Sequence, residues 1–239
     1  MSVRFEELDR RPTPIGEISL RRRLEPTLQI DIYEAKLDDD FLMSSLFTAA
    51  EIALADLSLA SLVGAELDVV VGGLGLGYTA RAVLKDPRVR SLQVVEALDE
   101  VIGWHQRGLL PPSHELTSDR RCTFVNGDFF AMVAAGPSFG PGTPDRYDAV
   151  LVDIDHTPRH LLHPSHAPFY DPEGQRRLAD RLNPGGVFAL WSDDPPDEGY
   201  ISVVEQVFTS CEAHVITFPN PLTGGEAANT VYVASVGDG

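Results

Sequence analysis

The chain predicts a doubly wound α/β fold with a mostly parallel, seven-stranded sheet. Three observations carry this expectation. From Leu67 onward, short Val/Leu/Ile runs alternate with helix-compatible segments, the pattern of a parallel sheet covered on both faces. The first run, Leu67–Val71, breaks into Gly72-Gly-Leu-Gly-Leu-Gly77 and passes into a helical segment, so a glycine loop sits between a strand and a helix. The last two runs are joined by Pro219–Asn229, rich in Pro, Gly and Asn, with no helix between them, which makes the final pairing an antiparallel hairpin.

Taken in order, Glu17–Leu24 and Leu28–Leu37 alternate apolar and polar residues about Glu25-Pro26-Thr27. They are expected to form a two-stranded antiparallel hairpin outside the main sheet, residues 1–45 being a small extension of a domain over residues 46–239. So small a hairpin needs a surface to pack on, and an exposed face of it would also suit a homodimer contact. Phe47–Leu62 is rich in Ala and Leu and should be a helix leading into the sheet. Strands are then expected at Leu67–Val71, Ser91–Glu96, Cys122–Asn126, Tyr147–Asp153, Val187–Trp191, Ala213–Phe218 and Thr230–Ser235. Helices are expected at Tyr78–Lys85, Leu98–Leu109, Phe129–Ala135, Asp171–Leu182 and Tyr200–Ser210.

Bulk properties narrow the function. At 239 residues and 43% hydrophobic, the chain is one domain with enough apolar material for a full core. A net charge of −17 works against nucleic acid and favours solubility, while suiting a cationic ligand such as an amine or a sulfonium. Only Cys122 and Cys211 are present, which fits a reducing compartment. The opening MSVRFEELDRR is charged throughout, and no run approaches the roughly 18 apolar residues of a membrane span. A soluble cytoplasmic protein with no membrane partner is expected.

Open parallel sheets bind ligands outside the carboxyl ends of their strands, where strand order reverses. The ends here are polar. Gly73, Gly75 and Gly77 let a ligand lie against bare peptide groups at the start of a helix, which suits a nucleotide-like ligand with an anionic end. Glu96, about 20 residues further on, is placed to accept hydrogen bonds from ribose hydroxyls. Asp128 either meets an adenine amino group or caps the Phe129–Ala135 helix. The fourth strand ends in Asp153-Ile154-Asp155-His156.

The succession GGLGLGYTAR, VVEALDEVI, NGDFF, YDAVLVDID and FYDPEGQRRLADRLNPGGVFALWS resembles the spermidine synthase family, the polyamine aminopropyltransferases. The resemblance runs from Glu17 to Val236. It implies the Rossmann-like fold of class I S-adenosylmethionine (SAM) methyltransferases, a leading β-hairpin, and SAM or decarboxylated SAM as the cofactor. Two departures bear on the reaction. Spermidine synthases read GGGDG in the glycine loop, where an Asp helps hold the amine end of decarboxylated SAM; here that position is Gly75. An Asp beside the carboxylate of intact SAM would cost roughly 1–4 kcal/mol at about 4 Å, so its loss tilts the preference toward intact SAM. The family's fourth strand ends near D-S-S/T-D-P, the first Asp helping to deprotonate the attacking amine and the second holding the polyamine. Asp153 matches the first position, His156 stands at the second, and Asp155 lies one residue early.

The expected reaction is displacement at a carbon bonded to sulfonium, in which alignment and desolvation are the protein's main tasks. If the acceptor is an ammonium, a base must free its lone pair. Asp153 is the candidate, with Asp155 or His156 as alternatives; Tyr170 and Trp191 are candidate walls of the acceptor pocket. His156, His160, His163 and His166 fall in one Pro-interrupted loop whose spacing fits no metal-ligand motif, so no metal is expected and a substrate lid is. Asp38-Asp39-Asp40 reads as a solvated turn. The leading function is SAM-dependent alkylation, most simply methylation, of a small amine or other small nucleophile. The alternatives are aminopropyl transfer from decarboxylated SAM to a diamine, aminocarboxypropyl transfer or cyclisation of SAM, and a non-catalytic nucleoside-binding module.

Overall fold

The computed structural model describes residues 5–136, 138–140 and 142–237. The outer ends of the two expected units, residues 1–4 and 238–239, lie outside the described residues. The chain begins with an antiparallel meander of four strands, β1 (Phe5–Thr13), β2 (Gly16–Glu25), β3 (Ile30–Leu37) and β4 (Asp40–Ser44). Only two of these were expected. The β1 sequence, FEELDRRPT, lacks apolar alternation because its cross-strand partners are ionic. Glu6 lies opposite Arg22 and pairs with it at 2.7 Å. Such exposed pairs contribute little. The meander is held by its ladder and by Ile18, Leu20 and Ala35, all fully buried on the face that meets the rest of the chain.

Helix α1 (Ala49–Ala60) follows and buries Ala50, Leu54, Ala55 and Leu59. The main sheet then alternates with helices: β5 (Leu67–Gly72), α2 (Tyr78–Leu84), β6 (Val89–Glu96), α3 (Asp99–Gln106), α4 (Ser113–Ser118), β7 (Cys122–Asn126), α5 (Phe129–Ala135) and β8 (Tyr147–Val152). A 3-10 segment (Pro164–Tyr170) leads into α6 (Pro172–Ala179), β9 (Leu182–Ser192), α7 (Glu198–Val204), β10 (Ser210–Asn220) and β11 (Gly225–Ser235). The strand order is β10-β11-β9-β8-β5-β6-β7, with β11 antiparallel to both its neighbours and the other main-sheet pairings parallel. Seven strands in a mostly parallel sheet is the expected architecture.

Burial explains the strand sequences. Every residue of β5 is buried, and its side chains alternate between two cores. Val69 and Val71 join the cluster under α1, α2 and α3, whereas Val70 joins Phe129, Phe169 and Tyr200 on the other face. Strand order reverses between β5 and β8. β6 and β7 build outward on one side and β9 on the other, so a crevice opens at the carboxyl ends of the central pair.

The closing hairpin departs from expectation in one respect. Residues 219–229, expected as a loop, are mostly strand, and only residues 221–224 form the turn. Pairing of β11 with β9 stops at Thr230–Ser192, while β10 and β11 continue as a ribbon from Ile216–Asn229 to Asn220–Gly225. At about 3.4 Å per residue this ribbon overhangs the carboxyl edge of the sheet by about 17 Å. Among the described residues no helix is long and apolar enough to cross a membrane.

Candidate active site

The crevice between β5 and β8 opens into a cavity of about 620 Å³, in the range for a cofactor with a small acceptor. Gly73, Gly75, Gly77, Glu96, Asp128, Asp153, His156 and Trp191, all singled out in the sequence, line it together. Residues from β4, the start of α1 and the overhanging ribbon close the far side, Met43, Phe47 and Phe218 among them.

The glycine loop is fixed from several directions. Gly73 has φ +97°, and a Cβ on it would stand 2.1 Å from the Asp153 carbonyl oxygen, so β5 and β8 approach too closely there for any side chain. Its N–H donates to Val95 O at 2.9 Å. Leu74 N–H donates to Glu96 Oε2 at 3.0 Å, and Leu98 N–H to Glu96 Oε1 at 2.9 Å. Burial pushes the Glu96 carboxyl up, partly offset by those N–H donors. Gly75 has φ +46° and space beside it, the nearest obstacle to a Cβ being the flexible Met43 Sδ at 3.1 Å. Its carbonyl accepts from His105 Nε2 at 2.9 Å, and burial holds the imidazole pKa down, so the ring is neutral. Asp128 caps α5, accepting from Ala131 N–H at 3.1 Å through Oδ1, and it also lines the cavity. The two uses are compatible because a carboxylate has a second oxygen.

Asp153 follows directly on β8 and accepts from Thr79 Oγ1 at 2.7 Å. Burial pushes its carboxyl up to about 6 against that hydroxyl. Glu51, in the first turn of α1, lines the same cavity; burial and the charge of Asp153 push it up to about 8. The charge of one carboxyl raises the other, so the two titrate as a pair, and near neutral pH this pair carries about one negative charge. Glu51 was not among the residues singled out. Its one signal was an acid within an Ala/Leu-rich helix, which reads equally as a solvated face.

Asp155 and Tyr170 are not on the cavity wall. Asp155 is 2% exposed and turned inward, where Oδ1 accepts from Leu162 N–H at 2.7 Å and His166 Nδ1 at 2.8 Å, and Oδ2 accepts from the Tyr170 hydroxyl at 2.9 Å. The pair ties the segment between β8 and α6 to the protein. Tyr170 packs edge-on against Phe169 and Tyr200. His166, carried by that segment, does reach the cavity and lies against the Phe130 ring at 4.1 Å between centroids. His156 lines the cavity and lies 5.0 Å from His160, ring centre to ring centre. Among the described residues no three His, Cys, Asp or Glu side chains converge as a metal requires. The Trp191 indole N–H is buried without a partner among the described residues.

Comparison with known proteins agrees with this geometry. The family model described as the spermine/spermidine synthase domain matches residues 49–225. Putrescine N-methyltransferase 2 of Nicotiana tabacum is 26% identical over 160 residues, 65% of this chain. Its counterpart in Nicotiana attenuata is also 26% identical over the same length. The aligned region spans 40% and 38% of those two proteins. Among solved structures, spermidine synthase from Thermotoga maritima superposes with a TM-score of 0.73 at 19% identity, covering 98% of this chain and 74% of that one. A spermidine synthase in complex with the transition-state analogue AdoDATO gives 0.75 at 19% identity with the same coverage. Human methyltransferase-like protein 13 in complex with SAH gives 0.56 at 19% identity, covering 78% of this chain and 79% of that one. At these identities the structural likeness speaks for the fold.

Proposed function

The chain belongs to the spermine/spermidine synthase family, and on that premise we propose that it transfers an alkyl group, most simply methyl, from intact SAM to an amine. The observation that carries this reading is a cavity lined by a half-buried carboxyl pair and, at Gly75, by a glycine loop without an acid. The residues present fit the cofactor. The backbone bared at Gly73 and Gly75 lies along one wall, Glu96 would hold the ribose hydroxyls, and Asp128 would meet the base. The likeness to putrescine N-methyltransferases supports methyl over aminopropyl transfer.

When bound, SAM supplies an electrophilic carbon whose sulfur leaves as a neutral thioether with the C–S electron pair. The protein's own residues supply the rest. The single negative charge shared by Asp153 and Glu51 draws an ammonium into the cavity, where low polarity strengthens the attraction. Asp153, with its carboxyl near 6, is ionised at neutral pH and accepts the amine's proton, freeing the lone pair that forms the N–C bond. The Thr79 hydroxyl fixes one oxygen of that carboxylate, and His156 and Trp191 stand on the acceptor side. The same reading carries a cytoplasmic setting and a homodimer through the N-terminal meander, which light scattering tests directly.

Calorimetry with SAM and with decarboxylated SAM tests the cofactor assignment. SAM is expected to bind at least ten-fold tighter. Gly75→Asp should narrow or reverse that preference, since Asp tolerates the positive φ of this position better than most residues. Tighter binding of the decarboxylated form to the unmodified protein would favour aminopropyl transfer instead.

A further inference from the structure

The far half of the cavity says what kind of amine fits. A linear diamine carries two ammonium groups, so a site built for one needs a carboxylate at each end. One end is supplied here by Glu51 and Asp153. The acid next along the chain, Asp155, cannot serve the other. Both its oxygens are engaged by Leu162, His166 and Tyr170, and it is turned away from the cavity. Glu96 and Asp128 belong to the glycine-loop end. Asp38 accepts from the Glu17 N–H at 2.8 Å, and neither it nor Asp39 or Asp40 lines the cavity. Asp193 does line it, but at the exposed rim, with one oxygen taken by Asn229 Nδ2 at 2.7 Å. Water screens a carboxylate in that position.

In place of a second carboxylate the wall offers His166. His166 Nδ1 bonds to Asp155 Oδ1 at 2.8 Å, which leaves Nε2 as the ring's other polar atom. Nε2 has no partner among the described residues. An imidazole carries no negative charge in either of its forms, so it cannot anchor a second ammonium as a carboxylate would. Asn220, Asn229, His163 and Ser165 also line the cavity, none of them a carboxylate, and its large apolar side chains come from four separate parts of the chain: Ile15 in the β1–β2 turn, Phe41 and Leu42 in β4, Phe47 before α1 and Phe218 in the overhanging ribbon. Phe47 and Phe218 pack on one another at 5.8 Å between ring centroids. Ile15 and Phe41 are 43% and 49% exposed, apolar area at the mouth that a bound apolar group would cover. This apolar surface is continuous with the carboxyl pair, so one ligand spans both.

We propose that the acceptor is a monoamine with an aryl or branched-alkyl body, its one nitrogen at the Glu51–Asp153 pair and its apolar body against Ile15, Phe41, Phe47 and Phe218, and not a linear diamine. The proposal rests on the transferase reading above. The transfer balances within the cavity: the amine lone pair forms the N–C bond, the C–S pair stays on sulfur, and the amine proton passes to the carboxyl pair.

The test uses 2-phenylethylamine and putrescine as probes on the full chain. Calorimetry with protein saturated in S-adenosylhomocysteine reads binding, and mass spectrometry of S-adenosylhomocysteine released from SAM reads turnover. At least ten-fold tighter binding and higher kcat/KM for 2-phenylethylamine are expected. Ile15→Asp and Phe41→Asp, both at exposed positions where folding tolerates a charge, should each narrow the ratio by three-fold or more, with circular dichroism reporting the fold. Equal or tighter binding of putrescine overturns the inference and leaves the transferase reading standing. Failure of both amines to bind overturns it too. Failure of S-adenosylhomocysteine to bind overturns the transferase reading itself.

Discussion

At the scale of single residues, Glu51 is the group whose charge state the fold disturbs most informatively. Its carboxyl rises from the ordinary 4.5 to about 8, so between those values the folded protein holds a proton that the unfolded chain has released. The associated stability is fully present below about 4.5 and is lost as pH rises through about 8. Asp153 acts in the same direction between 3.8 and about 6. Glu51→Gln removes the larger contribution. Denaturant unfolding should find the variant more stable than the native chain by a few kcal/mol near pH 9 and scarcely different near pH 4.5, together with slower amine turnover. A pH-independent difference would mean the carboxyl is solvated. Asp155→Asn tests the opposite kind of carboxyl. An amide turns one acceptor into a donor that faces Leu162 N–H, the His166 ring or the Tyr170 hydroxyl. A loss of about 1–3 kcal/mol is expected, with faster hydrogen exchange across residues 156–170. Unchanged exchange there would show that Asp155 does not hold that segment.

At the scale of elements, the β10–β11 ribbon is the part that its local sequence concealed. Pro219, Gly224, Gly225 and Asn229 are turn residues by type, so residues 219–229 read as loop. In the structure the strands run through them because the ribbon packs Phe218 on Phe47 over the cavity, a contact between residues far apart in sequence. Removing the paired residues Phe218, Pro219, Glu226 and Ala227 shortens the ribbon without shifting its register. This variant should raise KM for the acceptor several-fold and leave the dissociation constant for SAM within two-fold. Equal weakening of both would assign the ribbon to the cofactor half. The parallel strands were legible for the opposite reason. Leu67–Gly72 and Tyr147–Val152 are buried on both faces, so their hydrophobicity is continuous and needs no partner to be recognised. The glycine loop, Glu96, Asp128 and Asp153 were legible because strand ends place them. Glu51 was not, since α1 reaches the cavity only through tertiary packing, and His166 was legible only as one of four histidines in an expected lid loop. The same packing turned Asp155 and Tyr170 inward.

At the scale of the whole molecule, a net charge of −17 surrounds a cavity lined by the Glu51 and Asp153 carboxyls. The field should favour capture of a cationic amine, so kcat/KM should fall as ionic strength rises while kcat changes little. A neutral nucleophile would show no such dependence. Within a family named for polyamine synthesis, the proposed reaction of this chain is transfer of a methyl group from intact SAM to an amine. The sulfur-containing product tests that claim most directly. With SAM and an amine acceptor, mass spectrometry should detect S-adenosylhomocysteine accumulating in step with the methylated amine. Methylthioadenosine in its place would mean that the propyl arm is what moves, and would rule out methyl transfer.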